Sequence, residues 1–316
     1  MTYKIYSDVN IVLAIYNGEN YLPEFLESLE KQNVFGWKLL YRDDGSSDKS
    51  VTILENFKSK KFEINKKYDS LGNIGVINNF SSLLSQSTGK YVMLADQDDI
   101  WYPDKIATSL AAIQKMEKDD TGKIKPALVF SDLHVVDDNL NITHPSFIKM
   151  QGLEQLCQPS FLQLLTQNVA PGCTMIVNRA LLDLALPIPV DIAMHDWWLI
   201  QVASLFGRID FLKKPTIAYR QHQKNLVGAR SRSLISISKD IFKSTDGYRS
   251  RQLKAQRQAS AIIIRYANTM NKSDKAAAIA FSNLSKKLLL VRQLTAFRYG
   301  LKQSGFLRNF GFYCLM

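Results

Sequence analysis

The sequence predicts an α/β fold: a Rossmann-like, mostly parallel sheet flanked by helices, followed by a basic, amphipathic helical C-terminal region. Three observations predict it. Short apolar runs alternate with helical spacings of about ten residues, the signature of crossover units. Three of the early runs each end in a polar cluster, at Tyr16-Asn17-Gly18, Asp43-Asp44-Gly45 and Asp96-Gln97-Asp98. Near residue 230 the texture changes to small, apolar and basic residues at helical spacing, with Gly and Pro nearly absent until Gly300.

The elements follow in order. Val9 to Tyr16 is a short apolar run, read as a buried strand. Glu19 to Gln32 has helical spacing through Leu22, Phe25, Leu26 and Leu29. Trp37 to Tyr41 is a second strand, closed by the turn RDDGSSD with Gly45 as its permissive residue. A helix over Lys49 to Lys58, a strand over Phe62 to Tyr68 and a helix over Val76 to Ser85 come next, the last after the loop DSLGNIG. Tyr91 to Ala95 is a strand, Lys105 to Lys118 a helix, and Leu128 to Ser131 and Cys173 to Val177 are strands. MHDWWLIQVASLF, Met194 to Phe206, reads as a buried helix opened by Asp196. The expected division is residues 1–230 for the α/β body and 231–316 for the basic extension.

Composition narrows the classes. With 46% apolar and 22% charged residues the chain can form a large core, as soluble globular proteins do. No window approaches 18 uninterrupted apolar residues, so no transmembrane helix is expected. MTYKIYSDVN lacks the pattern of a secretory signal. Cys157, Cys173 and Cys314 stand far apart without CxxC spacing, which argues against a disulfide framework or a zinc site and for a cytoplasmic location. The net charge of +11 is unevenly spread: from Lys213 onward there are 21 Lys/Arg against three acids, whereas the first 212 residues carry 19 bases and 26 acids. An acidic body with a basic tail suggests an anionic partner for the tail.

Strands of a parallel sheet present their ligands at the carboxyl ends, so the three polar clusters are expected to line one sheet edge. Asp96 and Asp98 are a polar strand-end turn or a pair of hard oxygen ligands for Mg²⁺ or Mn²⁺ shared with a diphosphate. Asp43 and Asp44 are turn formers or acceptors for the imide N–H of a pyrimidine. Gly72, Asn73 and Gly75 form a loop and cap, or let backbone N–H groups approach a phosphate. No GxxxxGK[ST] is present and no GxGxxG follows the first strand, which excludes a P-loop nucleoside triphosphatase and disfavours a dinucleotide site. Asp196 is a helix cap or, dried by the following WWLI, a general base. His222 is a loop histidine or a third metal ligand. Asp99 has no assigned role.

The segments AIYNGENYLPEFLESLEKQ, YRDDGSSDKS, GNIGVINNF, YVMLADQDDIWYPDKI, GCTMIVNRALLDLALP, MHDWWLIQVASLFGRI and YRQHQKNLVG resemble, in order, the motifs of family 2 glycosyltransferases with the GT-A fold, over roughly residues 8–228. The combination of DQDDIW, HDWW and YRQH looks most like the bacterial rhamnosyltransferases that build cell-wall rhamnan, capsule or O-antigen chains. The resemblance implies inverting transfer from a nucleotide sugar, dTDP-β-L-rhamnose first and a UDP-hexose as the alternative, giving an α-linked product. Carried over, Ala14, Tyr16, Asp43 and Asp44 would hold the nucleoside. Asn73 and Gly75 would approach the phosphates. Asp96 and Asp98 would hold the metal-diphosphate, with His222 as a further ligand, and Asp196 would be the base. His195 stands where the family usually has an acid.

The basic C-terminal region interleaves Lys and Arg with Leu, Phe and Tyr. It reads as a helical hairpin packed on the body with solvated charges, or as a surface helix on the anionic inner face of the plasma membrane, with Phe306, Leu307, Phe310 and Phe312 in the boundary. A polyprenyl-diphosphate-linked glycan acceptor would make that location useful. A nucleic-acid partner is disfavoured by the acidic body and by the lack of a recognisable module.

Overall fold

The computed structural model describes residues 6–221 and 245–315. A nine-stranded mixed sheet, ordered β3-β2-β1-β4-β8-β6-β9-β5 with β7 beside β6, is covered by helices on both faces. The first half alternates regularly: β1 (Val9–Ile15), α1 (Leu22–Glu30), β2 (Trp37–Asp43), α2 (Ser50–Asn56), β3 (Phe62–Lys66), α3 (Gly75–Gln86) and β4 (Tyr91–Ala95). These four strands are parallel neighbours. Every residue of β4 and nearly every residue of β1 is buried, as expected for strands covered on both faces.

Register decides what this arrangement can do. Ile15 pairs with Asp43 and Leu13 with Ala95, so β1, β2 and β4 end level with one another. The three polar clusters therefore emerge along one sheet edge, as the sequence predicts. Past β4 come β5 (Ile100–Trp101), α4 (Lys105–Met116), β6 (Ala127–Val136), β7 (Ile142–His144), α5 (Phe147–Gln151), α6 (Phe161–Thr166), β8 (Met175–Asn178), α7 (Arg179–Ala185), α8 (His195–Phe206) and β9 (Arg208–Arg220). β8 runs antiparallel to β4 and to β6. β5 pairs with the end of β9, Ile100 with Ala218, which ties the Asp96–Asp99 turn between two strands.

β9, at 13 residues, is read from the sequence only as a strand just before His222, without bounds. Its RIDFLKKPTIAYR lacks an apolar run or clean alternation. Pro215 sits opposite Asp132, where the β6–β9 register shifts, so the missing N–H falls at an irregularity.

The basic C-terminal region forms α9 (Thr245–Tyr266), α10 (Lys272–Ser282), α11 (Leu289–Arg298) and α12 (Phe306–Leu315). Ala255, Ala259, Ile262, Phe281, Leu301 and Phe312 join the same buried cluster as Leu164, Leu165, Trp198 and Leu199. These helices are a layer on the body's own core. The expected boundary near residue 230 lies outside the described residues, as does His222. No described helix is long and apolar enough to cross a membrane.

The expected membrane contacts are corrected in part. Phe312 is fully buried in the shared core, so it cannot enter a lipid boundary, while Phe306 and Phe310 are exposed. The side chain of Leu307 lies outside those described. The larger apolar exposure is on α11 and its entry, where Leu288, Leu290, Leu294 and Phe297 are each more than two-thirds exposed.

Candidate active site

The strand-end edge is organised by reciprocal hydrogen bonds between its loops. Gln97 accepts the Tyr16 N–H at 3.1 Å and donates to the Tyr16 carbonyl at 2.9 Å, as a strand partner would. Gly18 is required beneath it, because a Cβ there would lie 2.4 Å from Gln97 Oε1. Asn17 donates its N–H to Ser46 Oγ at 2.9 Å, and Asp44 donates its N–H to the Ile15 carbonyl at 2.8 Å. Ala14 is half-buried in β1 opposite Arg42, and Tyr16 is exposed on the loop that follows.

Asp43 and Asp44 do different work. The half-buried Asp43 carboxylate accepts the Gly45 and Ser46 N–H groups at 3.2 and 3.1 Å, closing its own turn. Asp44 is buried and ion-paired to Arg42 at 2.8 Å. It also accepts the N–H groups of Ile74 and Gly75 at 2.8 and 2.9 Å. Arg42 bonds Asp69 at 2.8 Å and the Gly72 carbonyl at 2.9 Å. The Gly75 N–H is thus engaged by Asp44 rather than offered outward, which corrects the expectation of a phosphate-binding amide there. Gly72 and Gly75 have φ of +62° and +78°, the left-handed region that glycine adopts without strain. Asn73 lies exposed between them.

The acidic turn after β4 is crowded. Burial, then the charges of Asp98 and Asp196, push Asp96 up to about 7. Asp99 is fully buried, neither of its carboxylate oxygens has a well-formed hydrogen-bond partner among the described residues, and burial, then the charges of Asp98 and Asp96, raises its pKa. Ligand atoms of Asp96, Asp99 and Cys173 lie within 4.8 Å of one another. Lys105 is also fully buried, 4.5 Å from the Trp101 ring centroid, and burial lowers its pKa to about 8. Arg220, at the end of β9, donates to the Asp98 carbonyl at 3.3 Å and holds the turn from the far side. Hard carboxylate oxygens, two of them buried and without a well-formed partner among the described residues, suit Mg²⁺ or Mn²⁺. The Cys173 sulfur adds little to that set, because a soft ligand does not suit a hard ion.

Asp196 lies in the first turn of α8. Its Oδ1 accepts the Trp197 N–H at 2.6 Å and its Oδ2 the Gly172 N–H at 3.0 Å. These bonds favour the carboxylate, yet burial outweighs them and raises the pKa to about 6. Asp196 is thus not the N-cap, which is Met194; it accepts a first-turn N–H while its pKa stays raised. His195 is buried, stacks on Phe80 at 4.1 Å between ring centroids, and is held neutral by burial, its pKa lowered to about 3. A Cβ on Gly172 would lie 3.2 Å from His195 Nε2 and 3.4 Å from the Asp196 Cβ, so the backbone approaches this pair more closely than a side chain comfortably allows.

The structure thus brings Asp96 and Asp196 within electrostatic reach of each other, although they are distant in sequence. It adds Asp99, Lys105, Gly172 and Arg220, which the sequence reading left without roles. The family comparison decides what this edge belongs to: residues 10–150 match the family model described as Glycosyl transferase family 2. Residues 10–150 of this chain are a family 2 glycosyltransferase segment. The family 2 segment spans all three strand-end clusters, and Asp196 lies beyond it. The chain is 28% identical to the dTDP-rhamnosyl transferase RfbG of Shigella flexneri over 229 residues, 69% of this chain and 74% of that protein. It is 23% identical to the UDP-Glc:alpha-D-GlcNAc-diphosphoundecaprenol beta-1,3-glucosyltransferase WfgD of Escherichia coli over 55% of this chain and 62% of that one. Among solved structures, the mannosyltransferase PcManGT of Pyrobaculum calidifontis, in complex with GDP-Man and Mn²⁺, superposes with a TM-score of 0.55 at 13% identity, covering 93% of this chain and 73% of that one. The fold of this glycosyltransferase is GT-A.

Proposed function

We propose that this glycosyltransferase moves L-rhamnose from dTDP-β-L-rhamnose onto a polyprenyl-diphosphate-linked glycan, with inversion, in bacterial cell-wall or capsular polysaccharide synthesis. The observation that carries the mechanism is Asp196, a buried carboxylate with a pKa raised to about 6, whose charge is felt by Asp96 at the strand-end edge. The donor rests on the similarity to RfbG. The lipid-linked acceptor rests on the printed activity of WfgD, which also favours a second reading, a UDP-hexose donor.

In this reading the exposed Tyr16 and the Asp43 turn cradle the nucleoside. The Arg42–Asp44–Asp69 network acts one layer below, fixing the loop that carries Asn73. Asp96 and Asp98 would hold the divalent ion, with His222 as a candidate further ligand, and a bound Mg²⁺ or Mn²⁺ would supply charge neutralisation to the diphosphate. Asp196 accepts the proton of the acceptor hydroxyl while that oxygen attacks the anomeric carbon from the face opposite the diphosphate. The bond to the diphosphate breaks as the new one forms, so a single displacement inverts a β-linked donor to an α-linked product.

The same reading assigns the C-terminal helices to the anionic inner face of the membrane. Residues 275–316 carry seven Lys/Arg and no acid, and the exposed face of α11 supplies Leu290, Leu294 and Phe297. Each basic residue near such a surface contributes about 1 kcal/mol. Co-sedimentation with phosphatidylglycerol vesicles, lost in Leu294→Ser/Phe297→Ser and absent with phosphatidylcholine, is expected. Equal recovery of the variant would contradict this assignment.

A nucleotide-sugar panel, with and without Mn²⁺, tests the donor. Metal-dependent release of dTDP from dTDP-rhamnose is expected. Turnover of a UDP-hexose with dTDP-rhamnose inert would transfer the assignment to the second reading.

A further inference from the structure

The N-terminus of α8, where Asp196 lies, is held from the basic C-terminal region. Gln258, on α9, is fully buried among the helices of the shared core. Its Oε1 accepts the N–H groups of Ala193 and Met194 at 3.0 and 3.4 Å, the two residues that lead the chain into α8. Its Nε2 donates to Gln201 Oε1 at 2.9 Å, one helical turn beyond Trp197. Gln201 in turn donates to the Leu164 carbonyl at 2.8 Å, the acceptor that also takes the Trp197 indole N–H at 2.6 Å. Both ends of the Gln258 amide are thus engaged, one before the first turn of α8 and one after it.

We propose that Gln258 is a positioning residue for Asp196, so that the C-terminal helices complete the active site as well as the core. The proposal rests on the reading of Asp196 as the base. Met194, at the N-cap, offers no side-chain cap, and no described residue other than Gln258 accepts the Ala193 and Met194 N–H groups. Both residues are half-buried, and an N–H withdrawn from water and left without an acceptor costs about 1–3 kcal/mol, so the chain is directed toward Gln258 Oε1. Asp196 follows Met194 by two residues. Its carboxylate accepts the backbone N–H groups of Gly172 and Trp197 and a side-chain hydrogen bond from Asn168. The direction from which the chain enters α8 therefore sets where that carboxylate points. A displacement of about 1 Å at a reacting group costs on the order of a hundredfold in rate.

The test compares Gln258→Met with Gln256→Met in the full-length protein. Gln256 is buried two positions earlier on the same helix, and its Oε1 accepts the Ser285 N–H at 3.1 Å, away from α8. Each variant removes buried hydrogen bonding from α9 with little change of volume. Turnover is measured with the donor that the panel identifies, water or an added polyprenyl-diphosphate glycan serving as acceptor. Gln258→Met is expected to lower kcat by about 10- to 100-fold with donor KM little changed. Gln256→Met is expected to lose thermal stability while keeping kcat. A Gln258→Met/Asp196→Asn double variant should be no slower than Asp196→Asn alone, as for groups acting as one unit. Unchanged kcat in Gln258→Met, or an equal loss in both glutamine variants, would overturn the positioning role. Near-normal turnover in Asp196→Asn would instead overturn the base assignment, which separates the two failures.

Discussion

The edge formed by β1, β2 and β4 carries its polar side chains on partly exposed turns, whereas the first turn of α8 carries His195 and Asp196 beneath other residues. Each turn of the edge is stitched by backbone amides, such as those donated to Asp43 by Gly45 and Ser46. Hydration stays available there, so the edge suits a charged nucleotide that brings its own water and ion. The first turn of α8 has neutral neighbours, including the Phe80 ring over a neutral His195, and its own charge is that of Asp196. In the proposed reading the two divide the labour: backbone turns would supply recognition, and the buried first turn of α8 would supply a base with a raised pKa. The two meet at Asp96, whose pKa responds to Asp196.

That comparison can be broken at either end. The largest expected effect is Asp196→Asn, which should lower turnover by about 10²- to 10⁴-fold, the range for a positioned general base, while dTDP binding measured by calorimetry is unchanged. Equal losses in turnover and binding would place Asp196 in the recognition half instead. Arg42→Met comes next. It leaves the buried Asp44 carboxylate without its cation, and breaking a buried pair costs about 3–5 kcal/mol. A lower Tm and weaker nucleotide binding are expected, because the loop held by Asp44 and Asp69 is released; an unaltered Tm would show that the network is dispensable. Gly18→Ala should have the smallest effect. Its methyl displaces the Gln97 amide from Tyr16, a loss of about 1 kcal/mol seen as a severalfold higher donor KM at constant kcat. A fall in kcat alone would contradict a purely recognition role for this edge.

Much of the recognition half was legible in the sequence, and the reason is local. Val9–Ile15 and Tyr91–Ala95 are contiguous apolar runs, each followed directly by its polar cluster, so strand and site are read together. The surroundings of the first turn of α8 are assembled from Phe80, Gly172 and, behind Ala193 and Met194, Gln258, which no single window contains. Asp99 looked like one more acid in a turn because burial is not written in residue type. Gln258 was hidden for a related reason: in a helix rich in Gln, Lys and Arg, hydrophobic periodicity assigns a glutamine to solvent. Phe312 and Phe310 share one amphipathic texture, and only packing against the body separates the buried ring from the exposed one.

The central claim is that burial holds Asp196 at about 6 so that it serves as the base, and the pH dependence of single-turnover transfer tests it most directly. The base must be ionised, so at saturating donor and metal the rate should rise with pH through about 6 and level off above it. The ionisation of Asp96 is removed from that profile when its carboxylate is committed to the ion. In Asp196→Asn the residual rate should lose this acid limb. A wild-type rate that stays flat from pH 5 to 8, or a limb that survives in Asp196→Asn, would contradict the account.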